Sequence, residues 1–315
     1  MRASPTPAPA DAPTIPVRPL GAFGENVSAL GLGLGALARR AASDPWEPTI
    51  HAAIGCGMTS IDVAQGEDRA ASEEKAGRIL APFRDDIFLS SRCSPLDGQP
   101  FDVSAKAVRA QLEDSLRRLQ TDRIDLYHAH DIEAAGAKRL LGEVLPALVD
   151  ARERGDIRYV GASGGFLGLL HEILVTFPID AVLSYARLDL VNADLLEATL
   201  PAAEERGIAV INASPLHMGL LADPRVSQVA ADGSPIGSDP TAIAAQRAFQ
   251  LAKEEGMSLP RLAVAFAAQE SRVATTLIGC ATPQEVQENA RAFLAPCTAA
   301  EQAVIADVRA LFSDC

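Results

Sequence analysis

From residue 28 onward, short apolar and β-branched runs alternate with longer stretches in which apolar residues recur at helical spacing. Eight runs predict strands: SALGLG (28–33), TSIDVA (59–64), DIFLSSR (86–92), IDLYHAH (124–130), IRYVGAS (157–163), DAVLSYA (180–186), IAVINASP (208–215) and ATTLIGC (274–280). They read as strands buried on both faces, the pattern of a parallel sheet covered by crossover helices. The segment 104–120 shows the helical period: Val108, Leu112, Leu116 and Leu119 share one face, while Glu113, Asp114, Arg117 and Arg118 lie elsewhere around it. Ser104 and Asn192 are placed to cap helix N-termini, and Gly155 and Gly207 to end helices where positive φ costs glycine little.

Eight strand–helix units in about 290 residues fit one closed (β/α)8 barrel of the TIM type, whose active site forms at the strand C-termini. The predicted organisation is a Pro- and Ala-rich disordered tail over 1–16, then a single domain over 17–315 that opens with a short N-terminal hairpin. A doubly wound open sheet is the alternative, but no GxGxxG opens a helix after the first strand. GLGLG at 31–35 has glycines at another spacing and reads as a tight turn.

Charge and cysteine content narrow the partner. A formal net charge of −13 with no basic run argues against nucleic acid and against an anionic membrane, leaving a small-molecule substrate. The five cysteines are scattered without CxxC spacing, which suits a reducing cytoplasm rather than a disulfide framework or a structural zinc site. No signal-peptide core or run of about 18 apolar residues is present.

If strand C-termini build the site, the residues to consider are Asp62, Arg92, His128, His130, Ser163, Asn212, Ser214 and Cys280. Asp62 and Arg92, on neighbouring strands, are expected to pair, since converging charge in a barrel mouth is costly to desolvate otherwise. The same pair is also consistent with a purely structural staple between strands two and three. His128 and His130, two apart on one strand, face the same way. Any packed strand can carry two histidines, and no metal site is assigned.

FDVSAKAVRAQLEDSLRRLQTDRIDLYHAHDIE (101–133), INASPLHMGLL (211–221) and IGCATPQEVQENA (278–290) together resemble the aldo-keto reductase superfamily over roughly residues 17–312. Within it they resemble the L-galactose dehydrogenase and D-threo-aldose 1-dehydrogenase branch, and they also look like pyridoxal 4-dehydrogenase. The resemblance implies a tetrad of Asp, Tyr, Lys and His, with Tyr as proton donor. Asp62 matches the family Asp and His130 the family His, while Ser72 and Glu73 match the SE that follows the Tyr. The Tyr position holds Glu67 and the Lys position Arg92, next to Cys93. The tyrosines Tyr127, Tyr159 and Tyr185 fall on strands four, five and six, which predicts that none replaces the missing donor.

An ionised carboxylate is favoured beside a guanidinium, so Glu67 is expected to act as a base. That suits oxidation of a sugar-like hydroxyl better than reduction of an unactivated ketone. The rival readings are an isomerase, lyase or cyclase using Glu67 and His130, and a non-catalytic binding protein on the same fold. The resemblance places a nicotinamide cofactor along Ser163 and Gly164, Ser214, Leu216 and Gly219, and Gly279, Glu285, Glu288 and Asn289, with Gly164 a departure from the family's Asn. A carboxylate at Glu285, beside Ala281, would repel a 2′-phosphate, which predicts NAD over NADP, with loss of the cofactor as the alternative.

Overall fold

The computed structural model describes residues 13–39, 45–63, 69–93, 102, 104–130, 136–226, 239–313 and 315. A two-stranded antiparallel hairpin, β1 (Val17–Pro19) and β2 (Asn26–Ser28), precedes a closed barrel of eight parallel strands. The barrel strands are β3 (Leu30–Gly33), β4 (Ser60–Asp62), β5 (Phe88–Cys93), β6 (Ile124–His130), β7 (Ile157–Gly164), β8 (Ala181–Tyr185), β9 (Ala209–Ala213) and β10 (Thr275–Ile278). Each lies in sequence order beside the next, and β10 closes on β3. Every predicted strand is present, several shorter at the ends. The open-sheet alternative is excluded by the closure, but GLGLG is a turn only at Leu34: residues 31–33 are the end of β3, the Leu34 N–H bonds the Asp62 carbonyl of neighbouring β4 at 2.9 Å, and the short helix Gly35–Arg39 follows.

The helix Ala105–Leu119 buries Val108, Leu112, Ser115 and Leu119 toward the barrel, as its period requires. Each buried Leu of this kind contributes roughly 1.5–3 kcal/mol. Its cap is as predicted, with the Ser104 hydroxyl accepting from the Ala107 N–H at 3.3 Å. Gly155 (φ 85°) and Gly207 (φ 67°) end their helices in the left-handed region. Asn192 is not a helix cap: it sits in a turn whose Val191 and Asn192 N–H groups bond the Asp189 carboxylate, and the following helix begins at Thr199. An Asn before an apolar run fits an Asx-type turn as well as a cap, so the local signal is shared. The anchored chain also starts before residue 17. Ile15 is buried and its N–H bonds the Cys56 carbonyl at 2.9 Å, whereas the tail over 1–12 lies outside the described residues.

Side-chain alternation divides the barrel into an outer layer, packed under the helices, and an interior. The interior floor is apolar: Phe88, Leu126, Leu183, Ile211 and Leu277 cluster with Leu20 and Val27 of the hairpin, which plugs the N-terminal end. The Ala22 N–H bonds the Gly207 carbonyl at 2.9 Å, and Tyr159 donates to Glu25 at 2.8 Å. Two residues further along β5 to β8 the same interior face turns polar, and the site begins there.

Candidate functional site

Register places the polar side chains. Asp62 is paired with Ser90 across β4 and β5, Arg92 with His128 across β5 and β6, and His130 with Ser163 across β6 and β7. Neighbours in a parallel register share a face, so these groups converge on one rim of the barrel mouth.

Asp62 is 4% exposed and Arg92 5% exposed. The Arg92 guanidinium binds Asp62 Oδ2, and the Ser90 hydroxyl donates to Asp62 Oδ1 at 2.7 Å. The expected pair is formed, and its burial makes removal of either partner expensive. His128 lies fully buried beside it, its pKa lowered to about 3, first by burial and then by the Arg92 charge. The ring occupies the space a side chain on Gly161 would need, so glycine at 161 is what admits His128 to the interior. His130 is partly exposed, with Nδ1 2.8 Å from the Ser163 hydroxyl. Among the described residues no three His, Cys, Asp or Glu side chains gather as a metal site. Glu67 lies outside the described residues.

The remaining strand-end candidates separate. Asn212 is on the outer face, alternating with the interior residues Ile211 and Ala213, and donates to the Leu188 carbonyl at 3.0 Å. Cys280 is buried behind the rim, accepting from Asn289 at 3.3 Å. Neither joins the interior group; the sequence marks a strand end but not which face a residue takes there. The three tyrosines lie on the fourth, fifth and sixth barrel strands, as read, but at different depths. Tyr127 is buried in the outer layer against Ser115, and Tyr159 is at the floor with its hydroxyl pushed up to about 12, chiefly by burial. Tyr185, however, stands at the mouth with its ring 6.3 Å from that of His130. Its parity with the interior residues Ala181 and Leu183 was the signal that could have located it.

The candidate cofactor residues fall into three groups. Ser163 and Gly164 end β7, with the Ser163 hydroxyl already engaged by His130. Ser214 and Gly219 lie in the loop after β9, where Ser214, His217 and Met218 have φ of 61°, 47° and 55° and Gly219 has 100°. Left-handed backbone outside glycine is a local strain of the kind that gathers at functional sites. Leu216 packs its side chain into the core, so only its backbone is offered. After β10, Gly279 is exposed and meets Ala36 so closely that a Cβ would clash. Thr282 caps the helix Pro283–Leu294 through the Glu285 N–H at 3.1 Å. The Glu285 carboxylate accepts from the Ala281 N–H at 2.8 Å, and Glu288 lies on the exposed helix face with Gln284. Loops after the seventh and eighth barrel strands, beside a helix N-terminus, are the common phosphate-binding corner of this architecture.

Glu73 is a structural residue: it accepts from Ser91 at 3.0 Å and from Arg118 at 2.7 Å, tying the helix Arg69–Leu80 to β5 and to the helix Ala105–Leu119.

Comparison with known proteins agrees with the fold. Residues 29–310 match the aldo/keto reductase family. The L-galactose dehydrogenase of Arabidopsis thaliana is 31% identical over 287 residues, covering 88% of each chain. The NADH-specific methylglyoxal reductase of Escherichia coli K12 is 26% identical, covering 87% of this chain and 92% of that one. Among solved structures, the holo form of aldo-keto reductase AKR11C1 from Bacillus halodurans superposes with a TM-score of 0.73 at 25% identity, covering 93% of this chain and 96% of its own. On its fold, the span of the match and these relatives, the chain belongs to the aldo/keto reductase family of oxidoreductases.

Proposed function

We propose that the protein is an NAD-linked oxidoreductase that oxidises a hydroxyl of a small sugar-like compound, or reduces the corresponding carbonyl, at the polar rim of the barrel. The observation that carries this reading is the convergence of the Asp62–Arg92 pair and the His130–Ser163 pair on one rim. A bound nicotinamide supplies the hydride acceptor or donor. His130, oriented by Ser163, holds the substrate oxygen. Glu67, standing where the family has its tyrosine, takes the hydroxyl proton in the oxidative direction, and Arg92, itself fixed by Asp62, favours the carboxylate form of that base.

The residues suit a nicotinamide dinucleotide. Ser163 and Gly164 would border the carboxamide, Ser214, the Leu216 backbone and Gly219 the pyrophosphate, and Gly279, Glu285, Glu288 and Asn289 the adenosine. Glu285, whose carboxylate accepts from the Ala281 N–H, would put a negative charge where a bound 2′-phosphate would need a positive one, and this supports NAD over NADP. The names of two relatives point the same way in substrate and cofactor, one a sugar dehydrogenase and the other NADH-specific.

Calorimetric titration tests the reading. NADH is expected to bind at micromolar concentration, and NADPH at least about tenfold more weakly, a gap of about 1.4 kcal/mol. Absence of binding by any nicotinamide at millimolar concentration would overturn it and leave the non-redox or binding alternatives.

A further inference from the structure

The net charge of −13 sets a problem for binding any pyrophosphate, and the loops flanking the phosphate corner sharpen it. Between Ser214 and Ala222, and between Gly279 and Gln287, only one side chain can carry positive charge: His217. Glu285, in the second of these segments, adds a negative one.

His217 is held in an unusual way. Its Nδ1 donates to Asp189 Oδ2 at 2.9 Å. Asp189 is fully buried in the connection after β8, and its Oδ1 accepts the Val191 and Asn192 N–H groups at 2.8 and 2.9 Å. That carboxylate is therefore rigid, and it fixes both the ring's orientation and its tautomer. The imidazole side chain is 22% exposed, and among the described residues Nε2 has no protein partner. The backbone accepts strain to make this contact: Ser214, His217 and Met218 are all left-handed, and the His217 N–H turns back to the Ser214 carbonyl at 2.9 Å. A residue needed only to close this turn would be glycine or asparagine. A strained histidine locked to a buried carboxylate has a use for its second nitrogen.

We propose that the Asp189–His217 pair is the cationic contact for the cofactor's pyrophosphate, with Nε2–H donating to a phosphate oxygen while Asp189 holds Nδ1–H. Both ring nitrogens are then donors, each facing an anion, and the imidazolium supplies the charge that the neighbouring loops lack. The inference rests on the nicotinamide reading above and assigns to it a binding residue that the sequence alone did not single out.

The test compares the wild-type chain with His217→Asn, chosen because asparagine tolerates the left-handed backbone at this position. The readout is the Kd for NADH and for ADP, a probe that carries the pyrophosphate without the nicotinamide. The variant is expected to lose about tenfold or more in affinity for both ligands, as for removal of a charge-assisted hydrogen bond. NADH binding by folded His217→Asn within about twofold of wild type would overturn the proposal. If the variant does not fold, the imidazole resonances of His217 in the unmodified protein decide: a change in the Nε2 environment on adding NADH or ADP is expected, and resonances that do not move with either ligand overturn it. Failure of the wild type to bind NADH at all would instead sink the nicotinamide reading on which the proposal stands.

Discussion

The floor and the mouth of this barrel use the same strands in opposite ways. At the floor, Phe88, Leu126, Leu183, Ile211 and Leu277 fill the interior and the hairpin seals it with Leu20 and Val27. Two to four residues further along β5 and β6 stand Arg92, His128 and His130. The floor gains stability by removing apolar surface from water, whereas the mouth holds a buried ion pair, a neutral buried imidazole and a strained loop, none of which is the cheapest way to fill space. The difference separates an end built for packing from an end where packing gives way to polar groups, and it supports the proposed placing of function at the mouth.

Two truncations would break the comparison if both ends behaved alike. Arg92→Met leaves Asp62 buried without its counter-ion and is expected to cost about 3–5 kcal/mol in urea unfolding, with turnover lost even in the folded fraction. Leu126→Ala opens a cavity at the floor and is expected to cost about 2–5 kcal/mol, with activity per folded molecule retained. Equal loss of activity in both would remove the division between floor and mouth.

A smaller effect separates the ends by pH. His128 has a folded pKa of about 3, below the roughly 6.5 of an unfolded histidine, so the unfolded chain takes up the proton first. Stability from this group is complete above about pH 6.5 and is lost as pH falls toward 3, by about 1.4 kcal/mol per pH unit within that window. Unfolding free energies from urea titrations at about pH 7 and pH 5 should differ by about 2 kcal/mol from this cause, and His128→Gln should flatten the difference. At the floor the sign is opposite. Tyr159, pushed up to about 12, keeps its proton longer folded than unfolded, so its contribution is lost only on strong alkalinisation.

The eight strands were legible because a strand covered on both faces writes an uninterrupted apolar run, and β6 was placed to the residue. The Asp62–Arg92 pair was legible because neighbouring strand ends in a barrel bring side chains together. The rest depended on parity and on turns. Asn212 faces outward and Tyr185 into the mouth, a distinction that a run of apolar residues does not announce, because it leaves open which alternate positions face inward. Asp189 and His217 are 28 residues apart and meet only because two connecting loops bend through left-handed backbone, a geometry with no glycine signature at 217. Asn192 carried a cap-like signal that the Asp189 carboxylate uses for a turn instead.

The measurement that bears most directly on the central claim is NAD+ reduction by the purified protein across a panel of aldoses, with wild type and Glu67→Gln side by side. The account predicts NADH formation with at least one sugar and a loss of roughly 100-fold or more in kcat for the variant, the scale of a removed general base. A variant as active as the wild type would contradict Glu67 as the base, and a wild type that binds NADH yet oxidises no sugar and reduces no carbonyl would contradict the oxidoreductase assignment of the barrel mouth.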